Sequence, residues 1–205
     1  MEQKEPIKDR FARDIVTHQM KIRHDDGLYR HVVCKRPDTI CMSFSLTTTP
    51  GRLIYAGDMG CFVFESLPDM FQFFRTDREP NLDYWHEKLV AVDRPDGSKE
   101  RSVEVFRENL LARIPQTGEQ DDEENVDIQQ IIELVDEACE AFESEGPDSA
   151  YTLLRDSSFD EDFSEITDTK YTLRYEWACH AIKWAIAKYD EAKANAVQPS
   201  PETAQ

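Results

Sequence analysis

The chain predicts an α+β fold: a small antiparallel sheet from the first half, packed against C-terminal helices, with an acidic outer helix. Three observations carry this. Residues 20 to 66 alternate apolar and polar side chains and are punctuated by turn signals. From residue 102 onward the apolar positions recur at helical spacing instead. Between Glu119 and Asp168, nineteen Asp or Glu stand against one base, Arg155, so this stretch carries a net charge equal to the −18 of the whole 205-residue chain.

The elements follow in order. Met20, Ile22 and His24 alternate with Lys21 and Arg23. Asp26-Gly27 then supplies the positive-φ pair that a two-residue hairpin turn prefers, and Leu28 to Lys35 returns, setting His24 opposite Tyr29 and Ile22 opposite His31. Thr39 to Leu46 is a third β-branched run, and Thr49-Pro50-Gly51 turns the chain. Leu53 to Ala56 and Cys61 to Phe64 flank Gly57-Asp58-Met59-Gly60 as a further hairpin. Leu67-Pro68-Asp69 opens a short helix whose Met70, Phe71, Phe73 and Phe74 cap the sheet. Tyr84 to Val90 reads as a helix with Asp83 as its N-cap. The Asp93 to Gly97 turn precedes a helix from Ser102 to Ile114, with Val103, Phe106, Leu110 and Ile114 on one side, stopped by Pro115.

A long helix is expected over Val126 to Glu145. Ile128, Ile131, Ile132, Val135, Cys139 and Phe142 make its apolar stripe, and Glu133, Asp136, Glu137, Glu140 and Glu143 load the other side. Gly146-Pro147 ends it and starts a shorter helix around Ala150 to Leu154. A last helix spans about Thr169 to Ala196, with two adjoining aromatic stripes. The expected organisation is therefore a sheet region at 1–115, a linker at 116–125, an acidic helical region at 126–196 and a tail at 197–205.

Composition excludes several classes. With 40% hydrophobic residues the chain can bury a core, so it is no disordered acidic tail. Residues 1 to 6 carry charge where a signal peptide needs an apolar stretch, and no run approaches a membrane span, which predicts a cytoplasmic protein. Five cysteines without a Cys-x-x-Cys pair suggest buried thiols rather than a disulfide framework or zinc site, and neither metal nor cofactor is expected. Residues 1 to 100 hold fifteen Lys or Arg against seventeen Asp or Glu, so no basic footprint for direct nucleic-acid binding exists there.

Gly27-Leu28-Tyr29-Arg30-His31, Thr48-Thr49-Pro50-Gly51, Gly57-Asp58-Met59-Gly60, Asp69-Met70-Phe71, Phe73-Phe74-Arg75 and Tyr84-Trp85 with Glu87-Lys88 form a distinctive combination. Across about residues 10 to 92 the chain resembles a family of short accessory proteins of tailed phages, prophages and plasmids, departing from it at Thr49, where an aromatic residue is expected. The resemblance implies a mobile-element protein working in a bacterial cytoplasm, where such proteins often disable host defences. It implies no particular activity, and it does not reach the acidic half.

Two constellations are candidates for function. Glu133, Asp136, Glu137 and Glu140 stand about 5 to 6 Å apart on one helical surface, spaced to imitate phosphates before a basic groove. Asp160, Glu161 and Asp162 extend the acidic field. A solvated face of an amphipathic helix has the same pattern. Alternatively His24, Tyr29 and His31 on one face of the first hairpin, with Arg30 on the reverse and Asp58 approaching from the second hairpin, compose an acid–base or phosphate-handling site; the competing reading is ordinary cross-strand packing and turn capping. Phe71, Phe73 and Phe74 read as core, Arg75 as a partner of Asp69 or Glu87, and His180 as a packed histidine. No catalytic motif gives positive support to an enzyme. The favoured expectation is a phage-encoded cytosolic inhibitor occupying the basic surface of a bacterial protein, a nucleic-acid-binding defence component being the candidate. The alternatives are an enzyme or sponge acting on a nucleotide or phosphorylated signal, and a virion structural or assembly protein.

Overall fold

The computed structural model describes residues 5–93, 97–113, 128–157 and 166–197. The chain forms two compact units. Unit 1 comprises Met1–Ser98 with Tyr171–Gln205, and unit 2 is Lys99–Lys170, an insertion in unit 1. This division differs from the expected 1–115 and 126–196 regions: the last helix belongs with the sheet, and the helix after Ser102 belongs with the acidic segment.

Unit 1 is built on a six-stranded antiparallel meander of β1 (Gln19–Asp26), β2 (Tyr29–Lys35), β3 (Phe44–Thr49), β4 (Arg52–Gly57), β5 (Gly60–Glu65) and β6 (Leu89–Val92), in that order across the sheet. Every consecutive pair is antiparallel. The first hairpin differs in register from expectation. Asp26 pairs with Tyr29, so Gly27-Leu28 makes the turn, with Gly27 at φ +59°. Positive φ at the first turn residue alone is the Gly-X pattern of a type II′ turn. A bulge between Ile22 and His24 then sets His24 opposite His31 and Ile22 opposite Val32.

The run at Thr39 to Leu46 becomes strand only at Phe44. Before it, Met42 turns through φ 59° while its N–H donates to Asp58 Oδ2 at 2.5 Å. Pro50-Gly51 and Asp58-Met59 form the next two turns as expected. At Gly57 an added Cβ would lie 2.3 Å from the Ser43 carbonyl oxygen and 2.6 Å from Phe44 Cβ. Glycine is required there by close backbone approach.

Among the described residues four helices complete unit 1: α1 (Ile7–Ile15), α2 (Met70–Phe74), α3 (Leu82–His86) and, after the insertion, α7 (Leu173–Val197). The sequence reading does not assign α1, although Ile7, Phe11 and Ile15 recur at a four-residue spacing. The Tyr84 to Val90 segment splits. Asn81, not Asp83, caps α3 by accepting from Tyr84 N–H, and Leu89 onward joins the sheet. Thr169 to Tyr171, expected as helix, is instead strand β8, which pairs with β7 (Lys99–Arg101).

One face of the sheet presents Val32, Cys34, Phe44, Leu46, Leu53, Tyr55, Phe62 and Phe64, all buried, to the helices. Opposite them α7 brings small Ala178, Ala181 and Ala185 beside Trp177, Ile182 and Ile186. The small residues let the helix approach closely, and the large ones fill the remaining space. Phe44 meets Trp177 edge-on at 5.7 Å, and Phe11 meets it likewise at 5.0 Å. Each such side chain contributes about 1.5–3 kcal/mol by leaving water.

Unit 2 contains α4 (Val103–Ala112), α5 (Ile128–Ser144) and α6 (Pro147–Asp156). Ser102 caps α4 by accepting from Val105 N–H, and Gly146 at φ +104° with Pro147 at the first helical position separates α5 from α6. Phe106, Leu110, Ile131, Val135, Ala138, Cys139, Ala150 and Leu154 form its core, with Phe106 against Phe142 and Tyr151 at 5.0 and 5.5 Å. The expected linker at 116–125 lies outside the described residues, as does the expected tail at 197–205 apart from Val197, which ends α7.

Candidate functional site

The acidic surface follows from the periodicity of α5. Burial at Ile131, Val135, Ala138 and Cys139 fixes one side of the helix, so Glu133, Asp136, Glu137, Glu140 and Glu143 are exposed. The charge is segregated by unit: Lys99–Lys170 contains 22 Asp or Glu and six Lys or Arg, a formal net charge of −16. The remainder of the chain is close to neutral.

The carboxylates do not share one environment. Asp136 is paired with Arg107 of α4, so one member of the predicted array is neutralised within unit 2. Glu133 accepts from Gln129 Nε2 at 3.4 Å, one turn away. Glu137 and Glu140 have no ion pair among the described residues. They line an open cleft of about 620 Å³ between α5 and α6, joined by Glu145 and Asp148, with Ser144, Ser149 and Thr152 hydroxyls and an apolar floor of Ala141 and Leu153. Ser144 and Thr152 spend their hydroxyl protons on the carbonyls of Glu140 and Asp148. Glu145 and Asp148 are therefore acidic members that the sequence reading missed. The signal was their flanking of Gly146-Pro147, a helix–turn–helix that brings both ends to one cleft. Asp160, Glu161 and Asp162 lie outside the described residues.

The alternative constellation is not brought together. Arg30 projects toward the helices, where its guanidinium holds Asp69 at 2.7 and 3.2 Å and lies over the Phe71 and Tyr189 rings at 4.9 and 5.7 Å. Asp58 sits in the β4–β5 turn. The ladder pairs Cys34 with Phe44 and Phe44 with Gly57, so that turn lies at the end of the sheet opposite the Gly27-Leu28 turn. His24 and His31 do share a face, the one turned away from α7, and His31 Nδ1 is 2.9 Å from Thr47 Oγ1. The register explains both outcomes, because alternate residues of one strand point to opposite faces.

Two further residues have structural partners. Arg75 pairs with Asp190 of α7 at 2.7 and 2.9 Å, not with Asp69 or Glu87. His180 stacks on Phe11 at 5.7 Å with Glu79 3.8 Å from its Nδ1, and burial lowers its pKa. Among the described residues no group of three or more His, Cys, Asp or Glu is placed to hold a metal ion, and no helix is long and apolar enough to cross a membrane.

Comparison with family models, curated proteins and solved structures returns no match. The α+β class therefore rests on the fold described above.

Proposed function

We propose that this chain is an acidic binding protein of a mobile element that inhibits a bacterial defence or host protein by occupying its basic surface. The observation that carries the reading is the outward carboxylate row of α5, continued into the α5–α6 cleft by Glu145 and Asp148. From Glu133 to Glu143 the helix rises about 15 Å; with Asp136 neutralised by Arg107, the carboxylates of Glu133, Glu137, Glu140 and Glu143 fall about one per 4–5 Å of axis. A single DNA strand carries one phosphate per about 3.4 Å. A groove of Lys and Arg shaped for a phosphate chain meets a somewhat lower but comparable charge density on α5, fixed in place by a packed helix. The resemblance of residues 10 to 92 to phage and plasmid accessory proteins supplies the cellular setting.

Affinity capture of partners from bacterial lysate at about 50 and about 300 mM salt tests the reading. Screening shortens from about 14 Å to under 6 Å over that range, so the captured partner should be basic and lost at the higher salt. The double variant Glu137→Lys/Glu140→Lys should lose it at both. A complex indifferent to salt and to this charge reversal would overturn the proposal.

A further inference from the structure

We propose that His24 and His31 form a cross-strand pair of imidazoles that takes one divalent transition-metal ion on the sheet face turned away from α7. The two residues are direct partners in the β1–β2 ladder, so their side chains leave the same face. Opposed Cβ atoms in such a pair are about 4.5–5.5 Å apart. That separation lets two imidazoles converge on an ion at about 2.0–2.1 Å from each nitrogen.

Thr47 completes the arrangement. Its Oγ1 lies 2.9 Å from His31 Nδ1, on the neighbouring strand and the same face. A hydrogen bond donated by Nδ1–H to this oxygen leaves the Nε2 lone pair directed outward for a metal and holds the ring in one orientation, the usual role of the group behind a metal-bound histidine. His24 is exposed and has no hydrogen bond or ion pair among the described residues, so its ring is free to swing onto an ion fixed by His31.

Alternation along β1 settles the surroundings. Asp25 turns toward α7, where it accepts from Tyr189 Oη at 2.7 Å and from Lys193 Nζ at 2.8 Å, so Asp26 returns to the histidine face opposite Tyr29. Asp26 favours a nearby cation, whereas Lys21 and Arg23 of the same strand oppose one. Coordination by imidazole, more than charge, therefore decides binding, which selects copper, nickel or zinc over magnesium or calcium. The chain provides two ligands and water fills the remaining positions.

The test titrates the untagged, metal-stripped full chain with Cu²⁺ and separately Zn²⁺ by calorimetry, in excess Mg²⁺ to occupy the carboxylates of unit 2. One ion per chain is expected, with Cu²⁺ the tighter. His24→Ala and His31→Ala should each weaken it at least tenfold, and Thr47→Val about tenfold to a hundredfold. His24 is exposed, so its variant retains the fold and reads the site directly. No saturable binding, or binding that survives His24→Ala, would overturn the assignment; an unchanged affinity in Thr47→Val would remove Thr47 from it.

Discussion

Replacing Asp69 by alanine should destabilise unit 1 by about 3 kcal/mol, because this carboxylate does two jobs. It caps α2, accepting from Phe71 N–H at 3.0 Å and Gln72 N–H at 3.4 Å. It also neutralises Arg30, whose side chain is only 11% exposed between Phe71 and Tyr189. Stranding a buried cation costs about 3–5 kcal/mol; the 28% exposure of the Asp69 side chain admits water and reduces that to about 2. Loss of a cap adds about 1 kcal/mol. At this chain length the sum corresponds to a fall of about 10 °C in Tm.

Urea unfolding followed by tryptophan fluorescence reads the effect, since all three tryptophans, Trp85, Trp177 and Trp184, belong to unit 1. In an Arg30→Met background only the cap's share of about 1 kcal/mol should remain. The hydrogen bond from Arg30 holds the Asp69 carboxyl below its ordinary value of 3.8. A depressed carboxylate stabilises above its unfolded pKa, and that stability is lost as pH falls through the folded value. The difference between the native chain and Asp69→Asn should thus be full at pH 5–7 and shrink below about pH 4. A loss of under 1 kcal/mol, or the same loss with and without Arg30, would refute the reasoning.

Other perturbations separate the two units and their buried groups. Phe106→Ala should destabilise unit 2 by about 3–5 kcal/mol, lowering helical circular dichroism while tryptophan fluorescence stays native; a shifted tryptophan signal would contradict it. Gly57→Ala should cost about 1–3 kcal/mol, because its methyl meets the backbone of Ser43 and Phe44; denaturant titration checks this. His180 has its pKa lowered by burial, so the unfolded chain binds the proton more tightly and stability falls as pH drops below about 6.5. His180→Phe should flatten that part of the urea-midpoint profile between pH 7 and 5. Toward a thiol reagent, exposed Cys41 should react first in the native protein. Cys34, whose thiol burial pushes up to about 12, should react only on unfolding, with Cys179 behaving likewise.

Strands β1 to β5 and most helices were legible because local rules decide them, whereas β6 and β8 begin in segments that read as helix and β7 carries no local signal. Alternation in Phe44–Thr49 and Arg52–Gly57, Pro50-Gly51, the glycines at 57 and 60, and the four-residue spacing of Ile131 and Val135 each act within a few residues. The outward row of Glu133, Asp136, Glu137 and Glu140 was legible for the same reason, since burying one stripe of a helix fixes the opposite one. Pairing across distance was not. A one-residue shift at Gly27-Leu28 and a bulge after Ile22 decided that His24 meets His31, and although alternation places Arg30 on the reverse face, its partner there, Asp69, lies 39 residues along the chain. The sequence by itself determined the fold class, the acidic character of one segment and the faces of its helices. Only the tertiary structure decided that Lys99–Lys170 interrupts a sheet-and-helix unit whose last helix returns from beyond it, and that Arg107 neutralises Asp136 while Glu137 and Glu140 stay open. Helical periodicity says which side of an element is buried; the partner it is buried against comes from shape and packing between segments far apart in the chain.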